Sequence, residues 1–186
     1  PAGLPAAEPP GLFRASRTRE DAAFIGPETP FTRTDPNALT LDRCQWRWAD
    51  GEWSATTEVW QVQREIREAL EMRPVYYNGL PQRYKWAKQP HPNDGAPVEL
   101  RFEIEVAWIP EQPVYLLLEG SSWFDITLNG ERVSNTPVGW YLDRAFHKIA
   151  LPELAPGRNV LTLACEYTND MEIENCYLLG EFGVDT

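Results

Sequence analysis

Aromatic residues that do not fit the apolar pattern around them are the first sign of chemistry in this sequence. Trp123 directly precedes a strand-like stretch, 124–128, and is out of phase with its apolar positions. Trp140 and Tyr141 are consecutive, so on a strand they point to opposite faces and at least one leaves the main core. Such rings are expected at the surface, where a flat aromatic face can contact a ligand.

A long polar stretch at 74–97 carries two more aromatics, Tyr84 and Trp86. Loops longer than about 15 residues without structure of their own are usually functional or disordered. Aromatic residues are uncommon in disordered segments, so a functional loop is the favoured interpretation.

Aromatic rings beside polar groups indicate saccharide binding. The C–H face of a sugar packs on a ring, and its hydroxyls need directed polar partners. We expect Trp86, Trp123 and Tyr84 to stack against sugar rings, with nearby charged side chains contacting hydroxyls. The predicted carbohydrate-binding residues are Trp86, Trp123, Tyr84, Trp140, Tyr141, Asp125, Asp143 and Arg132.

The same aromatics also have structural interpretations. Trp123 fits a packing lid as well as a ligand platform, and Tyr84 and Trp86 would also suit contact with a neighbouring domain. Trp53 beside a turn at Asp50-Gly51 is expected to be a packed turn residue. The tryptophans predicted for the core are Trp108, Trp60 and one of Trp46 or Trp140.

Catalytic motifs give little support to an enzyme. The stretch 120–123 is not a nucleophile elbow, and the sequence has no phosphate-binding glycine loop and no cluster of metal ligands. His147 is expected to be a hydrogen-bonded strand residue rather than a base. A glycosidase needs only two carboxylates, and 28 acidic residues make any chosen pair uninformative. A small glycanase therefore stays a minor hypothesis.

Composition limits the partners. The chain has 186 residues, which suits one ordinary domain, and it carries a formal net charge of −11. This negative charge argues against nucleic acid and anionic membranes as partners. The three cysteines are expected as free buried thiols, with a Cys165–Cys176 bridge across a hairpin near 169–170 as the alternative.

The elements that must position these residues are mainly strands. Residues 1–36 contain seven prolines and are predicted to be a linker or wrapping arm, followed by a domain at 37–186. The spacing of apolar residues predicts one amphipathic helix at 58–72. The remaining apolar pattern predicts an antiparallel β-sandwich. Its strands are predicted at 38–48, 98–108, 114–118, 124–128, 139–146, 160–167 and 171–179.

Several of these stretches carry a recurring combination of turn and corner motifs. A strand ends in Asn129-Gly130, a second carries an aromatic and an acid, and a proline-leucine-glycine-asparagine corner precedes a leucine-rich strand. The pattern resembles the sugar-binding domain of family 2 glycoside hydrolases and related ancillary domains of bacterial rhamnosidase-type glycosidases. The matching stretches are 37–72 and 98–184, and 74–97 lies outside them.

The resemblance implies a galactose-binding-like jelly roll, non-catalytic and attached to a glycosidase catalytic domain. It also implies an extracellular or periplasmic location and a structural calcium as the one possible cofactor. A sequence that starts at Pro1 is expected to be a piece of a longer protein. The leading hypothesis is a carbohydrate-binding module for oligo- or polysaccharides, and the alternative is a bracing domain that binds no sugar.

Overall fold

A computed structural model of the chain describes residues 33–75 and 83–184. Residues 1–32 of the predicted arm and residues 76–82 of the loop at 74–97 therefore lie outside the described residues. The elements are β1 (Asn37–Leu41), β2 (Arg43–Trp48), β3 (Thr57–Glu58), α1 (Val59–Ala69), a π-helical turn (Arg83–Ala87), β4 (Ala96–Val106), β5 (Tyr115–Glu119), a 3₁₀ turn (Ser121–Trp123), β6 (Asp125–Leu128), β7 (Glu131–Val133), β8 (Gly139–Tyr141), β9 (Asp143–Ala150), β10 (Gly157–Tyr167) and β11 (Cys176–Gly180).

The strands form two antiparallel sheets. One has five strands in the order β1-β11-β5-β9-β8, and the other has six in the order β3-β2-β4-β10-β6-β7. The predicted mainly β architecture, an antiparallel sandwich with one helix, is confirmed. Within the described parts of the chain, no helix is both long and apolar enough to cross a membrane.

The core follows the alternation of the two longest strands. Every second residue of β4 from Ala96 to Val106 is buried, and β10 pairs with β4 along its whole length. Burying a large apolar side chain such as Phe102 contributes about 1.5–3 kcal/mol. The residues between them, such as Glu99 and Glu103, point outward. The outer face of the six-stranded sheet is therefore polar.

Two tryptophans predicted for the core are exposed instead. Strand β4 ends at Val106, so its alternation no longer applies at Trp108, whose exposed fraction is 88%. Trp60 lies in α1 next to Val59 and points away from the buried face of the helix, with 55% of its surface exposed. Of the alternative pair, Trp46 is half-buried and packs against the core.

The strand predicted at 139–146 is a hairpin. Leu142, with a φ of 59°, separates β8 from β9, and Trp140 pairs with His147 across the hairpin. Trp140 is 55% exposed and Tyr141 is half-buried. The two rings thus lie at the free edge of the five-stranded sheet.

The alternative prediction of a Cys165–Cys176 disulfide is wrong, because β10 and β11 do not form a hairpin. Cys165 pairs with Val98 in one sheet, and Cys176 pairs with Leu41 in the other. All three thiols are free and buried. Burial raises the pKa of both Cys44 and Cys165 to about 12.

Candidate functional site

The outer face of the six-stranded sheet carries a row of three residues that are far apart in the sequence. Ala164 on β10 pairs with Glu99 on β4 and with Asp125 on β6, so the three lie side by side across the sheet. Neighbouring strands are about 4.8 Å apart, so the backbones of the two acidic residues are separated by about 10 Å. The small side chain of Ala164 leaves a depression between them.

This depression, which we call the Trp123 groove, has a volume of about 600 Å³. It runs toward the end of the sheet where β10 leaves for the loop before β11. The side chains that set its charge and shape are Glu99, Trp123, Asp125, Ala164, Glu166 and Asp170. It combines one large aromatic ring with four carboxylates.

The ring of Trp123 is half-exposed, at 51%, and is held by its own turn. The backbone N–H of Trp123 donates to the carbonyl of Gly120 at 2.9 Å, and Gly120 has a φ of 57°. A Cβ atom at Gly120 would collide with Cε3 of the Trp123 ring. The ring therefore packs directly on a glycine, which fixes it at the groove wall.

Ser121 anchors the same turn from below. It is fully buried, and its Oγ lies 2.8 Å from Nδ1 of His147. A serine with no exposed surface cannot reach a substrate, so this pair holds the turn in place rather than forming a nucleophile and base. His147 is a hydrogen-bonded strand residue, as the sequence indicated.

Two of the four groove carboxylates have cationic partners. Arg47 pairs with Glu99 at 2.8 Å, and Arg132 pairs with Asp125 at 2.9 Å. The guanidinium of Arg47 also lies 4.6 Å from the ring centre of Trp53, which is half-buried as expected for a packed turn residue. This packing holds Arg47 over the sheet beside the groove.

The other two groove carboxylates are Glu166 and Asp170. Within the described residues neither makes an ion pair, and Asp170 accepts a hydrogen bond from Oγ1 of Thr168 at 2.6 Å. No lysine, arginine or histidine lines the groove among the described residues. Its lining is therefore negatively charged.

Two of the predicted carbohydrate-binding residues, Trp123 and Asp125, line this groove, and a third, Arg132, donates a hydrogen bond to Asp125. The predicted carbohydrate-binding residues did not include Glu99, Glu166 or Asp170. The alternation of the strand predicted at 98–108 indicated that Glu99 points outward. Only the strand register, which the sequence does not reveal, places Glu99 in the same row as Asp125.

Trp140, Tyr141 and Asp143 lie on the other sheet, at the β8–β9 hairpin. Oδ1 of Asp143 accepts a hydrogen bond from the N–H of Ala145 at 2.8 Å, so this carboxylate shapes its own turn. The three residues do not line the Trp123 groove.

Trp86 and Tyr84 belong to the π-helical turn, and the Tyr84 side chain lies outside what the structure describes. Trp86 is half-buried, with the guanidinium of Arg67 5.5 Å from its ring centre. Arg67 is only 1% exposed and donates to the Tyr167 hydroxyl at 3.2 Å and to Oδ1 of Asn169 at 2.6 Å. Trp86 is thus tied to a buried polar cluster between α1 and the loop after β10.

A second depression, the Trp108 groove, lies at the opposite end of β4 and has a volume of about 760 Å³. The eight residue steps from Val98 to Val106 along the strand cover about 26 Å. Its apolar lining includes Leu39, Trp108, Ile109, Leu154, Phe182 and Val184. Unlike the Trp123 groove, it is mainly apolar.

The described residues contain no group of three or more His, Cys, Asp or Glu side chains that could hold a metal ion. They therefore supply no carboxylate cluster for the calcium that the sequence resemblance implies.

Comparisons with known proteins are sparse. No family model matches the chain, and no curated protein matches it. Among solved structures, the chain is similar to β-D-mannosidase from Dictyoglomus thermophilum, with 19% sequence identity and a TM-score of 0.38. The similarity covers 69% of this chain and 15% of that protein, so the chain spans a small part of its structural neighbour.

Proposed function

We propose that this chain is a non-catalytic carbohydrate-binding domain, and that the Trp123 groove is its glycan site. The observation that carries the proposal is an exposed tryptophan, fixed on Gly120, at the wall of a groove lined by carboxylates. Such a site offers a sugar one flat apolar face and several hydroxyl acceptors.

In this proposal a sugar ring stacks on Trp123, and its hydroxyls donate to the carboxylates of Asp125 and Glu166. Arg132 donates to a sugar oxygen from the groove rim. Ala164 leaves room for the ring, where a larger side chain would fill the depression. An open groove buries little area, so we expect dissociation constants from micromolar to millimolar, about −8 to −4 kcal/mol.

The sequence resemblance to sugar-binding domains of glycosidases supports the same function, with the catalytic domain of a parent enzyme as the partner. A glycanase activity of the chain itself would need two free carboxylates on either side of a bound sugar. Glu99 and Asp125, which face each other across Ala164, are both held by arginines. Glu99 and Asp125 are therefore poorly suited to act as a catalytic pair, and an assay of reducing-sugar release tests the remaining groove carboxylates, Glu166 and Asp170.

The test is titration of the chain with a panel of soluble oligosaccharides by calorimetry and tryptophan fluorescence. We expect saturable binding by the wild type, a loss of at least about tenfold in affinity for Trp123→Ala, and wild-type affinity for Trp108→Ala. Absence of binding across the panel would refute the proposal. Release of reducing sugar from xylan, β-glucan or pectin would replace it with the glycanase hypothesis.

The Trp108 groove favours a second function, that of a bracing domain. Large exposed apolar surfaces are typical of protein interfaces, and Trp is enriched among interface residues that dominate binding energy. Size-exclusion chromatography with a separately produced catalytic domain of the parent tests this function. A complex lost in Trp108→Ser and kept in Trp123→Ser would support bracing, and no complex would refute it.

A further inference from the structure

The charge of the Trp123 groove points to a particular class of glycan. This inference rests on the function proposed above and concerns the same site. Among the described residues, the side chains of acidic or basic residues that line the groove are four carboxylates: Glu99, Asp125, Glu166 and Asp170. Arg47 and Arg132 offset the charge of the first two from the groove margin. The groove therefore keeps about two negative charges.

These two charges lie at the Trp123 end of the groove. Glu166 is the next outward residue after Ala164 along β10, about 6.6 Å further toward the end of the sheet. Asp170 follows in the loop after β10. Trp123 stands two residues before Asp125, the register partner of Ala164, so it lies at the same end as Glu166.

A carboxylate pair next to an exposed tryptophan ring suits a ligand that is both a sugar and a cation. An ammonium group is attracted by carboxylates and by the face of an indole ring, while the sugar ring packs on the same indole. A uronic acid would instead bring a like charge into the groove. The protein's overall charge of −11 strengthens both the attraction of an ammonium group and the repulsion of a uronate.

We infer that the Trp123 groove selects glycans with free amino groups, such as glucosamine oligomers, over their N-acetylated forms, and rejects uronate oligomers. The ammonium group of one residue lies between Glu166 and Asp170, and the ring of the same or the next residue stacks on Trp123. Glu99 and Asp125, already paired with arginines, accept from hydroxyls.

The experiment compares three oligomers of equal length, made of glucosamine, N-acetylglucosamine and galacturonate, by calorimetry at about pH 6, where the amine is protonated. We expect the glucosamine oligomer to bind at least about fivefold more tightly than the N-acetylated one, and the galacturonate oligomer to show no binding. Raising the salt to about 0.5 M should reduce this preference, because salt screens exposed charges.

The variant for this test is Glu166→Gln/Asp170→Asn. It should reduce the preference for the glucosamine oligomer to less than about twofold. Affinity for the N-acetylated oligomer should fall by a smaller factor than affinity for the glucosamine oligomer, because that oligomer loses only the hydroxyl contact of Glu166. The matched control is Glu68→Gln/Glu153→Gln, which removes two exposed acids outside the groove and changes the net charge equally. The control should keep the wild-type preference.

The outcomes separate this inference from the proposed function. Equal affinity for the two hexosamine oligomers would overturn the amine preference and leave glycan binding intact. A failure of all oligosaccharides to bind would overturn both. Binding of oligolysine as tightly as the glucosamine oligomer would also overturn the inference, because the groove would then attract cations regardless of the sugar ring.

Discussion

Trp123 and Trp108 are both exposed, at opposite ends of the sandwich, yet their surroundings differ. Trp123 packs on Gly120 beside a groove lined by carboxylates. Trp108 follows the end of β4 and lies among apolar side chains such as Ile109 and Val184. The difference teaches that exposure alone does not tell the function of a tryptophan. In the functions proposed above, the polar neighbours of Trp123 suit a ligand with hydroxyls, and the apolar neighbours of Trp108 suit a protein surface.

The largest expected effect is a loss of glycan affinity in Trp123→Ala that does not occur in Trp108→Ala. Trp123→Ala should lower glycan affinity at least about tenfold, about 1.4 kcal/mol, because it removes the stacking face. Trp108→Ala should leave both glycan affinity and the free energy of unfolding within about 0.5 kcal/mol of wild type, because its side chain is almost fully exposed. Calorimetric titration and urea denaturation of both variants measure these effects. Equal loss of affinity in the two would remove the distinction between the grooves.

The next largest effect on glycan affinity concerns the packing of the Trp123 ring on Gly120. In Gly120→Ala the new Cβ would collide with the indole ring, and the positive φ would add a backbone cost of about 1 kcal/mol. We expect a loss of glycan affinity of about fivefold together with reduced stability.

Gly130→Ala is the matched control, because Gly130 also has a positive φ, of 83°, but a Cβ there would meet nothing within 4 Å. It should lose stability by a similar backbone cost and keep glycan affinity. If Gly120→Ala keeps full affinity, the ring does not depend on this packing.

A smaller effect is expected from the ion pair at the groove rim. Asp125→Asn removes a charged hydroxyl acceptor and leaves Arg132 without its partner, and we expect about a threefold loss of glycan affinity. Both side chains are well exposed, so the free energy of unfolding should change by less than about 1 kcal/mol. Calorimetry and urea denaturation measure the two quantities. A large loss of stability would mean that the pair serves the fold rather than the site.

The smallest effect should appear at the Trp108 groove, at the opposite end of β4. Trp108→Ser should weaken binding of a hydrophobic dye such as ANS to the folded chain, because the Trp108 groove loses its largest apolar side chain. Trp123→Ser is the control and should leave dye fluorescence nearly unchanged. The reverse result would place the larger apolar surface at the Trp123 groove.

The sequence predicted the sandwich well where alternation was regular, as in β4 and β10. It failed at Trp108 because alternation says nothing about where a strand stops, and at Trp60 because a large apolar residue was assumed to be buried. The hairpin at Leu142 was missed because the turn has no glycine or asparagine at its positive φ.

The site was predictable in part. Trp123, Asp125 and Arg132 are close in sequence, and phase and residue type were enough to propose them as binding residues. Glu99 and Glu166 were missed as site residues because β4, β6 and β10 are brought side by side only by the order of strands in the sheet. That order depends on long-range pairing, which local patterns do not encode.

The proposal that glycan binds at the Trp123 groove and not at the Trp108 groove is tested most directly by NMR. An oligosaccharide that binds is titrated while the indole N–H signals are followed. The chain has eight tryptophans, and single variants assign the signals of Trp123 and Trp108. The account predicts that the Trp123 signal shifts in a saturable manner while the Trp108 signal stays in place. A saturable shift at Trp108 with none at Trp123 would contradict it.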